Sequence, residues 1–356
     1  MKIALISRTY WPYSVGGAEK ILFEIKNRLV KKNDFKIITW EQAKGKDFRI
    51  VKTIKKKVIG SLIFSLNAAR IANSKEFDIV HVNQFWTEYS PFFLRKKFVT
   101  SIHDLPESKI RLKIVKKSAD KAKGIFVLSK KVKKELMNLG IKKNKIHYAP
   151  PGIDWVNFKV KKAKKESFCK KGEKLFLYIS RIAPNKDLLT IIKALKLIKD
   201  KVKFKLLIIG QKQEWTDYYQ KVINEIKESG IKDKVLFLKP VFGKELVSIM
   251  KTADIYLQAS AYGEGFGMPT IECQAAGTPV IVSKLFEEIG VVKANKTGLV
   301  FPISDHKTLS KQIIKLLEDN KLRRKLISNG HKNSKEFNWD KTAKTVQKVY
   351  EKVLEK

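Results

Sequence analysis

The sequence predicts an α/β protein built from two doubly wound parallel sheets, one in each half of the chain. Three observations lead there. Short β-branched or aromatic runs alternate with amphipathic helical stretches at the spacing of strand–helix–strand units. The alternation is interrupted at PPGID (150–154), where two prolines and a glycine break any regular element, and then restarts. A length of 356 residues also exceeds what one hydrophobic core ordinarily supports. The expected domains are 1–152 and 153–338, followed by a terminal amphipathic helix over 339–356.

In the first half, KIALIS (2–7) is a buried strand, too short for a signal peptide. The loop after it ends in Gly16 and Gly17. Ile21, Leu22, Ile25, Leu29 and Val30 then recur at helical spacing. Strand, glycine loop and helix make a geometry that can receive phosphate on helix amides. The dinucleotide fingerprint is excluded, because no G-x-G occurs there, and a Gly-Gly pair alone is also an ordinary turn. Glu19 is read as a cap on the helix start. FKIITW (35–40) and FRIVKTI (48–54) are strands, and 58–72 is a helix. FDIVHVNQ (77–84) is a strand ending near His81, and KFVTSIHD (97–104) is one ending at His103. Ligands gather at the carboxyl ends of parallel strands, so both histidines are candidates. A histidine there is equally a structural hydrogen-bonding group. The basic helices at 108–123 and 129–140 either lie on an anionic surface or pack with a solvated lysine face. GIFVLS (124–129) and KIHYAP (145–150) close this half.

The second half restarts with KLFLYIS (174–180). Arg181 and Lys186 follow, at the strand end and the next helix start. Only nine arginines occur, three of them after residue 150, so Arg181 is not one of a crowd. An arginine fork and a lysine point charge suit the negative charge that grows on a departing diphosphate. KFKLLIIGQ (203–211) is a strand reaching Gly210, and 235–254 reads as strand, turn and helix. DIYLQAS (254–260) leads into AYGEGFGMPTIECQAAGTPVI. There Pro269 suits a first helical turn, and the amides of Gly265, Phe266 and Gly267 add donors to that helix start. Glu264 and Glu272 flank the site and would repel a phosphate. They are read as acceptors for neutral hydroxyls on either side of it, Glu264 on a hexose and Glu272 on a ribose. A nucleotide sugar presents hydroxyls, phosphates and hydroxyls in that order. The plainer alternative is one solvated glutamate and one held by a helix dipole. NKTGLVFPISDHKTLSKQIIKLLED (295–319) is strand, turn and helix.

EGFGMPTIE followed by AAGTPVI closely resembles the signature of the retaining nucleotide-sugar glycosyltransferases of the GT-B fold, family 4 (group 1). The resemblance extends over most of the chain. It implies two Rossmann-like domains facing across a cleft, with the last helix crossing back to the first. It implies transfer of a hexose, with retention, from a nucleotide-diphosphate sugar to a hydroxyl of a glycan or lipid-linked acceptor. The residues carried over as catalytic are His103, Glu264, Arg181 and Lys186. Those carried over as donor-binding are Gly16, Gly17, Gly210, Gly265, Phe266, Gly267, Met268 and Glu272, with His81 on the acceptor side. Ser180 and Asp187 stand where the pattern has glycines, and SKLFEEIG replaces its Gly-Gly-x-x-Glu loop. No Asp-x-Asp is present, so the expectation is no metal and no cofactor beyond the donor substrate.

The formal charge is +40, of which +22 falls in residues 1–150. Such a field favours anionic partners, including a membrane surface, or reflects a lysine-rich composition spread over ordinary helix faces. A nucleic-acid binder is the alternative suggested by charge alone, and it lacks interleaved aromatic and basic residues. Another GT-B activity, such as an epimerase or phosphorylase, is a further alternative. No apolar run reaches bilayer length, and the two cysteines have no metal-ligand spacing. A reduced cytoplasmic setting, peripheral at the inner face of the membrane, is the expectation.

Overall fold

The computed structural model describes residues 1–14, 17–40, 43–54, 57–84, 87–210 and 216–355. Gly16 of the glycine loop lies outside them. The chain forms two compact units, Met1–Gly152 with Asn338–Lys356, and Ile153–Phe337.

The first unit contains strands β1 (Lys2–Ile6), β2 (Asp34–Thr39), β3 (Phe48–Ile50), β4 (Ile79–Asn83), β5 (Phe98–Ile102), β6 (Gly124–Val127) and β7 (Ile146–Tyr148). They pair in parallel in the order β3-β2-β1-β4-β5-β6-β7. The order reverses between β1 and β4, the switch point at which parallel sheets open a crevice. Helices α1 (Gly17–Leu29), α2 (Lys57–Ala72), α3 (Ser90–Phe93), α4 (Lys109–Lys121) and α5 (Lys130–Asn138) connect the strands. All five residues of β4 and of β5 are buried, as expected of strands covered on both faces. FRIVKTI forms a strand only over its first three residues. Beyond them Thr53 Oγ1 donates to the Gly60 carbonyl at 2.8 Å, tying the segment to α2 instead of the sheet edge. The α4 helix packs through Val115, Ser118 and Ala119 and leaves Lys109, Lys113 and Lys117 exposed.

The second unit contains β8 (Lys174–Ile179), β9 (Phe204–Ile209), β10 (Val235–Leu238), β11 (Ile255–Gln258), β12 (Val280–Ser283) and β13 (Leu299–Phe301). They pair in parallel in the order β10-β9-β8-β11-β12-β13, so the switch point lies between β8 and β11. Its helices are α6 (Leu188–Lys196), α7 (Thr216–Glu228), α8 (Gly243–Thr252), α9 (Met268–Ala276), α10 (Leu285–Ile289), α11 (His306–Glu318) and α12 (Asn320–Ser334). One continuous core joins the inner faces of β8, β9 and β11 to α6 and α11 through Phe176, Leu206, Leu257, Ile191 and Ile313.

One feature was not visible in the sequence pattern. The α12 helix has no broad apolar stripe. It docks on α9 through the side-chain-free Gly330 against Gln274 and through Asn333 Nδ2 donating to Gln274 Oε1 at 2.9 Å, while Leu326 joins the core shared with α6 and α11. The terminal helix α13 (Trp339–Glu355) belongs to the first unit and buries Ala343, Val346, Val349 and Tyr350 there. A Cβ at Gly124 would come within 2.7 Å of Val349, so β6 begins with the one residue that admits α13 this closely. Among the described residues no helix is long and apolar enough to cross a membrane.

Candidate active site

The second-unit residues gather at the carboxyl ends of β8 and β11. Arg181 follows β8 at an exposed position, and Lys186 ends the short 3-10 turn after it. The Lys186 ammonium is buried and donates to Glu264 Oε2 at 2.7 Å. Ser260 Oγ, just past β11, donates to the same oxygen at 3.1 Å. Ser260 is held from behind: Gln258 Nε2 donates to its hydroxyl at 2.9 Å, and Ser283 Oγ donates to its carbonyl at 2.6 Å. The two loops are also stitched by Ala261 N donating to the Asn185 carbonyl at 2.9 Å. Arg181 and Lys186 therefore come from one strand end and Glu264 from the neighbouring one, at the reversal of strand order. Glu264 Oε1 makes no hydrogen bond among the described residues.

Asp187 explains how this loop dispenses with a glycine. Its φ is +46°, a left-handed value that glycine takes freely and aspartate tolerates. The carboxylate then caps α6, accepting from Thr190 N at 3.3 Å and Thr190 Oγ1 at 2.7 Å, and it accepts from Ser304 Oγ at 2.7 Å. At the other departure, Ser180, the close approach is made by the backbone, and it is Gly210 that admits it. A Cβ at Gly210 would meet the Ser180 carbonyl oxygen at 1.9 Å.

Three residues beyond Glu264 the chain turns into α9. Gly267 takes φ +80°, and a Cβ on it would sit 2.4 Å from the Phe286 ring. Glycine is required there twice over. Phe266 is buried edge-on against Phe337, ring centres 5.3 Å apart, and Gly265 is half-buried in the turn. Met268 opens α9 with Pro269 next to it, among the described residues no side chain caps this N-terminus, and Thr270 N donates to the Gly267 carbonyl at 2.9 Å. Glu272 lies one turn on, half-buried, and its charge raises the pKa of buried Cys273 after the larger effect of desolvation.

In the first unit, His103 follows β5 directly and is buried. Its Nε2 bonds Asn83 Oδ1 at the end of β4, and Asn83 Nδ2 donates to Ser7 Oγ, just past β1, at 3.1 Å. Three strand ends beside the switch point thus share one network. Nδ1 of His103 is enclosed and makes no hydrogen bond among the described residues. Burial lowers the His103 pKa from 6.5 to about 4, so the ring is neutral near pH 7. Gly17 is the first residue of α1, with nothing within 4 Å of an added Cβ, and Glu19 accepts from Thr9 Oγ1 at 2.7 Å, closing the loop onto the helix.

His81 is the correction. It is the middle residue of β4 and not at its end, and it is fully buried. Nδ1 is 2.6 Å from the Tyr350 hydroxyl on α13, and Nε2 is 2.7 Å from Ser101 Oγ. Desolvation, with a smaller push from His103, lowers its pKa to about 3. Both ring nitrogens are committed to the core, so an acceptor-side role does not fit this placement. The supporting residues Ser7, Asn83, Ser260 and Ser283 escaped the sequence reading, because small polar residues at strand ends carry no spacing signal.

Known proteins share this fold and much of this sequence pattern. Over its whole length the chain is 24% identical to an uncharacterised glycosyltransferase of Methanocaldococcus jannaschii, covering 99% of that protein. The fold matches sucrose-phosphate synthase from Thermosynechococcus elongatus with a TM-score of 0.84 at 20% identity, covering 99% of this chain and 98% of that one. It matches Anabaena HepE, solved in complex with UDP-glucose, with a TM-score of 0.81 at 18% identity, covering 99% of each chain. Residues 15–155 match the family Glycosyltransferase Family 4, and residues 159–333 match the family Glycosyl transferases group 1. The two matches leave only residues 1–14, 156–158 and 334–356 outside them, and the chain belongs to the group 1, family 4 glycosyltransferases of the GT-B fold.

Proposed function

We propose that this glycosyltransferase moves a hexose from a nucleoside-diphosphate sugar to a hydroxyl of a glycan or lipid-linked acceptor, with retention at the anomeric carbon and without a metal ion. The observation that carries the proposal is the Lys186–Glu264 pair, 2.7 Å apart at the switch point of the second sheet and beside the uncapped start of α9. An ammonium has three N–H donors, and Glu264 occupies one. The other two, with Arg181 and the α9 amides, serve the oxygens of a diphosphate. Glu264 Oε1 serves a hexose hydroxyl, and Glu272 serves the ribose. The Anabaena protein bound to UDP-glucose supports a donor of this class. Gly210, Gly265, Phe266, Gly267 and Met268 shape the donor side of the second unit through backbone, and in the first unit neutral His103 hydrogen-bonds a substrate hydroxyl.

In the reaction the bond from the anomeric carbon to the leaving phosphate oxygen breaks. A bond to the acceptor oxygen forms on the same face. The acceptor's proton passes to the departing phosphate oxygen, whose charge Arg181 and Lys186 offset. A panel of nucleotide sugars tested by thermal shift, followed by mass spectrometry of products, identifies the donor. Proton NMR of the new linkage reads the stereochemistry, and inversion would refute the mechanism. Full activity in excess EDTA is the expected result for a metal-free reaction. The +40 charge and the exposed lysines of α4 support peripheral attachment to an anionic membrane at a cytoplasmic face. Salt-sensitive cosedimentation with anionic vesicles tests that attachment.

A further inference from the structure

The first unit holds a cation for which the donor chemistry has no use. Arg8 lies two residues past β1 and is only 8% exposed. Its guanidinium is stacked 3.8 Å from the ring centre of Trp40, just past β2, and Nη1 donates to Ser61 Oγ of α2 at 3.1 Å. The backbone beneath it is fixed, because the Arg8 carbonyl accepts from Thr39 Oγ1 at 2.8 Å and from Trp40 N at 3.3 Å. Yet among the described residues Nε is enclosed without a hydrogen bond and no carboxylate pairs with the group. Glu88 is the acid whose field reaches it. That carboxylate is buried and already held by Arg111, at 2.9 Å from Nε and 2.7 Å from Nη2.

A guanidinium cannot shed its proton, and burying one without a counter-charge is costly. Here the chain bears that cost while spending an indole face and a hydroxyl on orienting the fork. Such an arrangement holds a guanidinium ready for the oxygens of a carboxylate or a phosphate. Its location is specific: Ser7, the preceding residue, is the hydroxyl that anchors the Asn83–His103 network.

We propose that Arg8 is a specificity-determining residue that binds an anionic group, a phosphate or carboxylate, borne by the acceptor close to the hydroxyl that receives the sugar. The assignment rests on the transfer reading above for the word acceptor, but the anion site can be tested without turnover.

The test is titration calorimetry with inorganic phosphate on the full chain carrying Arg181→Ala and Lys186→Ala, which silences the second-unit cations. Adding Arg8→Gln is expected to weaken phosphate binding by about tenfold or more, the scale of one charge-assisted hydrogen bond. Arg8→Lys is expected to retain an intermediate affinity, since it keeps the charge and loses the fork. Circular dichroism and the melting temperature show whether each variant is folded. Glycerol 3-phosphate against vesicles containing phosphatidylinositol then separates a soluble phosphate from a lipid headgroup, because an Arg8-dependent signal appears with one or both. Equal phosphate binding with and without Arg8→Gln, or none in either, overturns the proposal. Failure of every nucleotide sugar to bind would sink the transfer reading alone, leaving the phosphate result to stand or fall separately.

Discussion

Lys186 and Glu264 carry the proposed chemistry, and each loses its hydrogen-bond partner when the other is removed. Lys186→Ala and Glu264→Ala are both expected to reduce kcat/KM by about 100-fold or more, the scale seen when one charge-stabilising donor is lost. Each should also cost roughly 1–3 kcal/mol of stability, because a mostly buried partner loses its hydrogen bond. The double variant should recover part of that stability while staying inactive, and denaturant unfolding beside steady-state kinetics measures both. His81 and His103 make a second prediction at this scale. Burial lowers their pKa values to about 3 and about 4 from 6.5, so the unfolded chain takes up protons first as pH falls. The stability they allow is complete above pH 6.5 and is lost progressively as pH drops toward 4, with a slope of about 1.4 kcal/mol per pH unit for each ring. His81→Gln should flatten that slope in urea melts run from pH 7 to pH 4.5, and an unchanged slope would contradict the burial argument.

At the scale of elements, the proposed donor site rests on the start of α9. Gly267 takes φ +80° and faces Phe286 at 2.4 Å from where a Cβ would be. Gly267→Ala is expected to destabilise the fold by about 1–3 kcal/mol, from left-handed strain and the clash together. It should also weaken donor binding by tilting the α9 amides. Phe286→Leu in the same chain relieves the clash but not the strain, so only part of the stability returns. Thermal melts with and without donor distinguish the two contributions. Asp187 shows the same logic with another residue: an aspartate at φ +46° also caps α6, so a glycine in its place loses that cap.

For the whole molecule, the boundary between units does not follow chain order. The α13 helix lies past the second unit, yet its Tyr350 meets His81 and its Gln347 Oε1 accepts from Asn33 Nδ2 at 2.7 Å in the first. Residues 1–152 expressed alone are therefore expected to remain unfolded or molten. The same segment joined by a flexible linker to residues 338–356 should give dispersed amide NMR signals and a cooperative melt. A well-folded 1–152 fragment would show that α13 is dispensable.

Much of this molecule was legible in the linear chain because local rules carried it. The strand runs, the break at Pro150–Gly152, and the sequence from Glu264 to Glu272 each depend on near neighbours: alternating apolar blocks, ring-locked backbone and glycine turns. Arg181, Lys186 and Glu264 could be picked out because charge and spacing are written in the letters. What the letters do not carry is which distant groups meet. That His81 lies inside β4 with Tyr350 and Ser101 on its two nitrogens, that Ser260 and Ser283 brace Glu264, and that α12 docks through a glycine all follow from packing across the fold. A buried polar atom takes whatever partner the packing brings within reach, and only folding in three dimensions chooses that partner.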